Sequence, residues 1–256
     1  MPFPLAHPAA VLLFRRWSNH SLNFLALVIG AITPDLGYCL ERYDVDQLTH
    51  SVRGCFIFSL PVGWVWWLIF RSLAEPLVSL LPAPHRQALL PACRRLVQPW
   101  FAVPLSLLIG AGTHVFWDSF THDTGWFVER SSFLQSKLFS LDGHSFQIYR
   151  LLWHLSTWFG LLVLYRVYIA TLKRSTATEK VFSVEEKRRY ARCACLLFLP
   201  LVGAILVAFR HDAKKLSSVT ALPHFFRLSA TLYLLELSVL LVVLGTALRM
   251  KRRSTD

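Results

Sequence analysis

Five apolar runs set the rhythm of the chain. Gly54–Phe70 holds 17 residues without a charge, rich in Trp and Phe. Phe101–Trp117 is a second run of 17, interrupted only by His114. Leu151–Tyr165 covers 15 residues between Arg150 and Arg166, whose long side chains can reach outward from either end. Cys193–Phe209 covers 17, and Leu228–Leu248 covers 21 with Glu236 inside. A bilayer core takes about 17–25 mostly apolar residues per helix, so each run predicts a membrane span. Pro61, Pro104 and Pro200 fall within three of them, which membrane helices tolerate. Nearer the start, Pro8–Trp17 reads as a short helix ending in an interfacial Arg15-Arg16-Trp17 anchor. Leu22–Ile32 is apolar for only 11 residues before Thr33-Pro34-Asp35. It is either a short span or a re-entrant half-helix. The fold expected is an all-α polytopic membrane bundle of about five or six spans.

Composition agrees. Of 256 residues, 54% are hydrophobic and 16% charged, with a mean hydropathy of +0.45. A soluble domain carries roughly 25% charged residues, so a water-soluble globule is excluded. Disorder is excluded by the 14% aromatic content. The five cysteines give neither a disulfide framework nor a Cys-type zinc site. The opening MPFPLAHP lacks the basic start and cleavage site of a signal peptide.

The net charge of +12 sits in loops. Arg71–Trp100 carries Arg71, Arg86, Arg94 and Arg95, Lys173–Arg192 carries seven basic residues, and the tail carries Arg249, Lys251, Arg252 and Arg253. These segments alternate across the spans and are expected on the cytoplasmic side. Residues 39–53 and 118–150 then fall on the opposite face. The loop 210–227 falls there too, against its four basic residues. The charge is read as contact with anionic lipid and not nucleic acid, for which there is no motif. Three segments are expected: a membrane domain over 1–172, a basic linker over 173–192, and a C-terminal two-helix hairpin over 193–256.

Against this apolar background, ionisable residues point to function. The strongest group is His114, Asp118 and His122. Four-residue spacing puts them along one face of a helix, and imidazoles with a carboxylate are ligands for zinc and similar ions. Helix-end polar groups bonded to carbonyls would explain one such histidine more readily than they explain three such residues. In a six-span topology Asp35, His50 and His154 reach the same membrane face. His7 joins them only if residues 8–32 turn back as a hairpin. Singly, Asp35 reads as a turn residue, and His50 and His154 as interfacial or packing histidines. Glu236 is expected to pair inside the bundle. Asp142 and His144 flank Gly143 in a turn, and His20, His85, His211 and His224 read as loop or interface histidines.

The stretches PFPLAHPAAV, ITPD, THS, GTHVFWDSFTHDTGWFV and LLWHLS together resemble a bacterial integral-membrane family known only as a domain of unknown function. More distantly they resemble bacterial membrane-bound metal-dependent hydrolases, which include a LexA-controlled inner-membrane protein, and faintly zinc-dependent phospholipase C. The shared pattern falls on His7, Pro34-Asp35, Thr49-His50-Ser51 and His114/Asp118, within residues 1–165. Two positions depart from it. Leu36-Gly37-Tyr38 stands where the hydrolases have a second Asp and a His, and Thr121-His122 where they often have Thr-Pro. The resemblance implies a bacterial inner-membrane protein acting as a divalent-metal hydrolase, zinc first, and the basic tail adds a cytoplasmic C-terminus. The ligands would be His7, Asp35, His50, His114, Asp118, His122 and His154, with Asp35 or Asp123 taking the proton. Membrane lipid or a lipid-linked (phospho)ester is the expected substrate. The alternative is a non-enzymatic metal-binding, transport or scaffold protein using the same ligands.

Overall fold

The structure, a computed structural model, describes residues 3–17, 21–40, 43–94, 99, 101–141, 144–175, 183–212 and 222–254. His20, Asp142, residues 176–182 of the linker and residues 213–221 of the fifth loop lie outside the described residues, as do the side chains of His144 and His224. The described chain is almost wholly helical: α1 (Pro8–Val11), α2 (Phe24–Ile32), α3 (Tyr43–Thr49), α4 (Val52–Val78), α5 (Ala83–Arg94), α6 (Ala102–Asp118), α7 (Trp126–Arg130), α8 (Ser132–Gln135), α9 (Ile148–Ser175), α10 (Val184–Asp212) and α11 (Leu222–Arg253). A short antiparallel hairpin, β1 (Lys137–Leu141) and β2 (His144–Gln147), precedes α9. The pattern of apolar runs does not anticipate it. Phe139 and Phe146 pair across it and stack with ring centroids 5.0 Å apart.

Among the described residues, four helices are long and apolar enough to cross a membrane: Val52–Val78, Ile148–Ser175, Val184–His211 and Leu228–Lys251. Trp158, Phe159, Phe198, Leu199, Leu206 and Val243 stand exposed along them, as helices solvated by lipid require. The chain is a helical membrane protein. The remaining run, Phe101–Trp117, falls but for Phe101 in α6, whose 17 residues include Ser106, Thr113, His114 and Asp118. At 17 residues α6 is shorter than those four helices, and Ser106, His114 and Asp118 lie on its buried face.

The chain forms two compact units. The first comprises Met1–Leu68 and Arg95–Thr171, the second Ile69–Arg94 and Leu172–Asp256. Ile69–Arg94, within the expected 1–172 segment, belongs to the second unit. The Glu186 carboxylate accepts the Ala83 N–H at 2.7 Å, and the Arg189 guanidinium donates to the Ser79 carbonyl at 2.8 Å, tying that segment to α10. Within the expected 173–192 linker, Lys173–Ser175 belong to α9 and Val184–Arg192 to α10. Within the second unit α10 packs on α11. There Gly203 makes room for Glu236: a methyl group at Gly203 would stand 3.0 Å from the carboxylate.

In the first unit α2 packs on α6, parallel and in register. Asn23 N–H donates to Ser106 Oγ at 2.8 Å at one end, and His114 Nδ1 meets the Ala31 carbonyl at 2.8 Å at the other, both with a separation of 83 positions. Equal separations mean that the two helices run the same way. The contact face of α6 is Ala102, Val103, Ser106, Leu107, Gly110, Ala111, His114 and Asp118, at spacings of three and four. Small residues there let the backbones approach closely. A Cβ on Gly30 would clash with the Leu107 carbonyl oxygen, and one on Gly110 with that of Leu27. The α2 N-terminus is buried yet satisfied. The Asn23 side chain accepts from Ala26 N–H at 2.9 Å and from the Trp67 indole at 3.3 Å.

Candidate metal centre

Four local devices deliver six side chains to one place. His7 sits between the Pro4–Ala6 turn and α1. The start of the chain is held by α9, through Phe3 N–H to Thr157 Oγ1 at 3.1 Å and the Ala6 backbone seated on Gly160. Asp35 lies in the 3₁₀ segment Thr33–Leu40 that continues α2. His50 falls between α3 and α4, where the Ser51 side chain caps α4 by accepting the Gly54 N–H at 3.0 Å. His114 and Asp118 occupy the last turn of α6, and His122 the turn after it.

His7 and Asp35, on either side of residues 8–32, arrive at the same carboxylate cluster, the placement expected of a hairpin over 8–32.

The contacts converge on two carboxylates. His114 Nε2 stands 3.1 Å from Asp118 Oδ2 and 3.4 Å from Asp35 Oδ1. His50 Nε2 stands 3.3 Å from Asp35 Oδ1 and 3.6 Å from Asp118 Oδ2. His7 Nε2 is 3.5 Å from Asp118 Oδ1, and His122 Nδ1 is 3.7 Å from the same oxygen. One ligand atom from each of Asp35, His50, His114 and Asp118 lies within 4.8 Å of the other three. Most of these separations are long for hydrogen bonds, whose mode is about 2.9 Å. They match the edge of a tetrahedron about an ion with bonds of about 2.1 Å, which is roughly 3.4 Å.

Burial and orphaned atoms carry the same message. His114 is fully buried, and His7, Asp35 and Asp118 nearly so. His7 Nε2, His114 Nε2, His122 Nε2, Asp35 Oδ2 and both Asp118 carboxylate oxygens are buried without a hydrogen-bond partner among the described residues. Orphaned polar atoms on this scale are costly and call for an ion or water. A His/Asp donor set of this kind fits a divalent cation.

The shell behind the ligands is ordered for that role. His114 donates its Nδ1–H to the Ala31 carbonyl, which turns Nε2 toward the cluster. His50 Nδ1 lies 3.2 Å from the fully buried Thr49 hydroxyl. His122 Nδ1 lies 3.1 Å from the Asp118 carbonyl. Burial holds His122 below the ordinary imidazole pKa, opposed by the Asp118 carboxylate. Burial, followed by the neighbouring His114, lowers His7 to about 4. Both imidazoles are therefore neutral near pH 7, the form that ligates.

The chain matches the model of one family, a domain of unknown function (DUF4184), over residues 1–246. The chain belongs to this family. No curated protein matches the chain, and no solved structure does. In this DUF4184 member the structure gathers His7, Asp35, His50, His114, Asp118 and His122. It does not bring His154 or Asp123 to them. His154 is exposed on α9, 6.0 Å from the Phe146 ring and 4.3 Å from Trp153. Asp123 is exposed and its carboxylate accepts the Thr124 N–H at 2.9 Å, stabilising its own turn. The sequence does not signal the Ala31 carbonyl, and it gives Thr49 only as part of the Thr49-His50-Ser51 pattern. A backbone acceptor carries no residue signal, and the Thr49 role depends on the turn that places it beside His50.

Proposed function

We propose that this centre is the active site of a membrane-bound metal-dependent hydrolase, zinc being the first expectation for its nitrogen and oxygen donors. The observation that carries the reading is a ligand set closed on one side and open on the other. The side chains of His114, His7, Asp35 and Asp118 are 0%, 2%, 3% and 5% exposed, whereas those of His50 and His122 are 15% and 19% exposed. A catalytic centre keeps such an approach, while a structural one is fully enclosed.

A divalent ion bound there would lower the pKa of water and polarise a phosphoryl or carbonyl oxygen. The chain's own residues do the rest. Asp35 and Asp118 supply the negative charge that draws a cation into an apolar fold. Ala31 and Thr49 orient the imidazoles of His114 and His50. Asp35 Oδ2, which has no hydrogen-bond partner among the described residues, is the proton acceptor. Asp123 is set aside for that role by its place in the turn.

A lipid or lipid-linked ester is supported by an apolar groove of about 360 Å³ in the same unit, lined by Val52, Phe56, Gly112, Phe116, Ser119 and Trp126 among others. Its walls adjoin the ligands in sequence: Ser119 follows Asp118, and Val52 lies two residues past His50. The basic-loop asymmetry supports a centre at the non-cytoplasmic face with the C-terminus inside, and the resemblance supports a bacterial inner membrane.

The non-enzymatic reading, a metal-binding, transport or scaffold protein, draws on the complete burial of His114. The two are separated by assaying detergent-purified, zinc-loaded protein on phosphodiester, phosphomonoester and acyl-ester p-nitrophenyl substrates and on phospholipid vesicles. Hydrolysis that disappears with chelation and in His50→Ala is expected. A zinc-loaded protein inert on every class would overturn the hydrolase in favour of the non-enzymatic role.

A further inference from the structure

The two oxygens of Asp118 face different histidines. Oδ2 looks toward His114 Nε2 and His50 Nε2, at 3.1 and 3.6 Å, and Asp35 Oδ1 completes that group. Oδ1 looks toward His7 Nε2 and His122 Nδ1, at 3.5 and 3.7 Å. His7 Nε2 and His122 Nε2 are buried without a hydrogen-bond partner among the described residues, His122 Nδ1 being engaged by the Asp118 carbonyl.

The rings of His7 and His114 decide whether one ion can serve both groups. They are stacked, with centroids 3.7 Å apart and an interplanar angle of 22°. An imidazole nitrogen donates through a lone pair in the plane of its ring, to an ion about 2.1 Å away. Two nearly parallel planes this far apart do not meet at so short a distance. One ion in the plane of His114 is therefore well out of the plane of His7. Two ions, one in each plane, would be separated by about the ring spacing. Paired catalytic metals stand roughly 3.5–4 Å apart, with a carboxylate between them able to bridge.

We propose that the centre is dinuclear, with Asp118 bridging. The first ion takes Asp35, His50, His114 and one oxygen of Asp118. The second takes His7, His122 and the other oxygen. This rests on the metal-centre reading above and deepens it: the substrate class becomes one whose attacking and leaving oxygens a pair of cations can clamp, a phosphoester. His7, supplied by the extreme N-terminal segment, becomes a ligand of the second ion alone.

The test is the metal stoichiometry of the metal-stripped, detergent-purified full chain titrated with Mn²⁺, read by mass spectrometry and by electron paramagnetic resonance. Two ions per chain with an exchange-coupled spectrum are expected. His7→Ala and His122→Ala should each fall to one ion with an uncoupled spectrum, and His50→Ala should weaken the first site instead. Saturation at one ion per chain overturns the dinuclear centre while leaving a mononuclear hydrolase standing. No binding at all overturns both readings. Two ions without coupling, or two retained in both His7→Ala and His122→Ala, place the second ion elsewhere and overturn the proposal. Should a variant fail to fold, the wild-type count and spectrum still decide.

Discussion

The Ala31 carbonyl accepts the Nδ1–H of His114 at 2.8 Å across the α2–α6 interface. This contact joins fold to site. It belongs to the same register that pairs Asn23 with Ser106, and it turns Nε2 toward Asp35 and Asp118.

Removing His114 should be costly apart from any activity. Asp35 and Asp118 would be left as buried carboxylates short of their main partner, and breaking such a buried pair costs about 3–5 kcal/mol. His114→Ala is expected to lower the thermal midpoint of the metal-free protein and to abolish tight zinc binding. Thermal unfolding in detergent, with and without zinc, reads both effects. An unchanged midpoint would show that the site carries no structural weight.

Two glycines two positions apart on α6 should behave oppositely. A Cβ at Gly110 would clash with the Leu27 carbonyl oxygen, whereas one at Gly112 has nothing within 4 Å. Gly110→Ala must push α2 away, costing about 1–3 kcal/mol as overpacking does, and should weaken zinc affinity by shifting Asp35 from His114. Gly112→Ala should leave midpoint and affinity unchanged. Isothermal titration beside thermal unfolding distinguishes them, and equal effects would refute the close parallel packing.

Ser106 joins the far end of the same interface. Its hydroxyl accepts the buried Asn23 N–H at 2.8 Å and donates to the Ala102 carbonyl at 2.6 Å. Ser106→Ala leaves the Asn23 N–H buried without that acceptor, a loss of about 1–3 kcal/mol. Faster hydrogen exchange at the start of α2, with zinc stoichiometry unaltered, is the expected signature.

Cys93, in α5, offers a pH prediction away from the metal. Burial, and then the Glu75 carboxylate, raise its thiol pKa above the ordinary value. The thiolate is the nucleophile, so raising the pKa leaves less of it at neutral pH. Alkylation of Cys93 by iodoacetamide should be slower than that of a free cysteine at pH 7.5, and should recover as pH rises. Glu75→Gln should speed it. A rate equal to that of free cysteine would contradict the assignment.

Much of the site is legible in the residue pattern. His114, Asp118 and His122 stand at four-residue intervals, and the last turn of α6 with the turn after it delivers all three. Asp35 and His50 stand out as ionisable residues in apolar surroundings, where an uncompensated charge is too expensive to be idle. His154 satisfies the same criterion and still lies elsewhere. Placement near one end of an apolar run specifies depth along a helix and not the direction in which the helix faces. Asp123 is a plausible base by residue type, and a sequence does not show that its nearest partner is the next backbone N–H.

By itself the sequence determined the class of the molecule: apolar runs of bilayer length make a helical membrane protein, because backbone groups in lipid must bond within their own segment. It also determined which residue types could ligate. Only the tertiary structure decided that His7 and Asp35 arrive at one cluster, and that α6 serves as the packing core of its unit. Only it decided that Asp118 stands between two groups of histidines. Those outcomes follow from the close approach of α2 and α6 at Gly30 and Gly110, a fit of backbone surfaces far apart in sequence that no local pattern encodes.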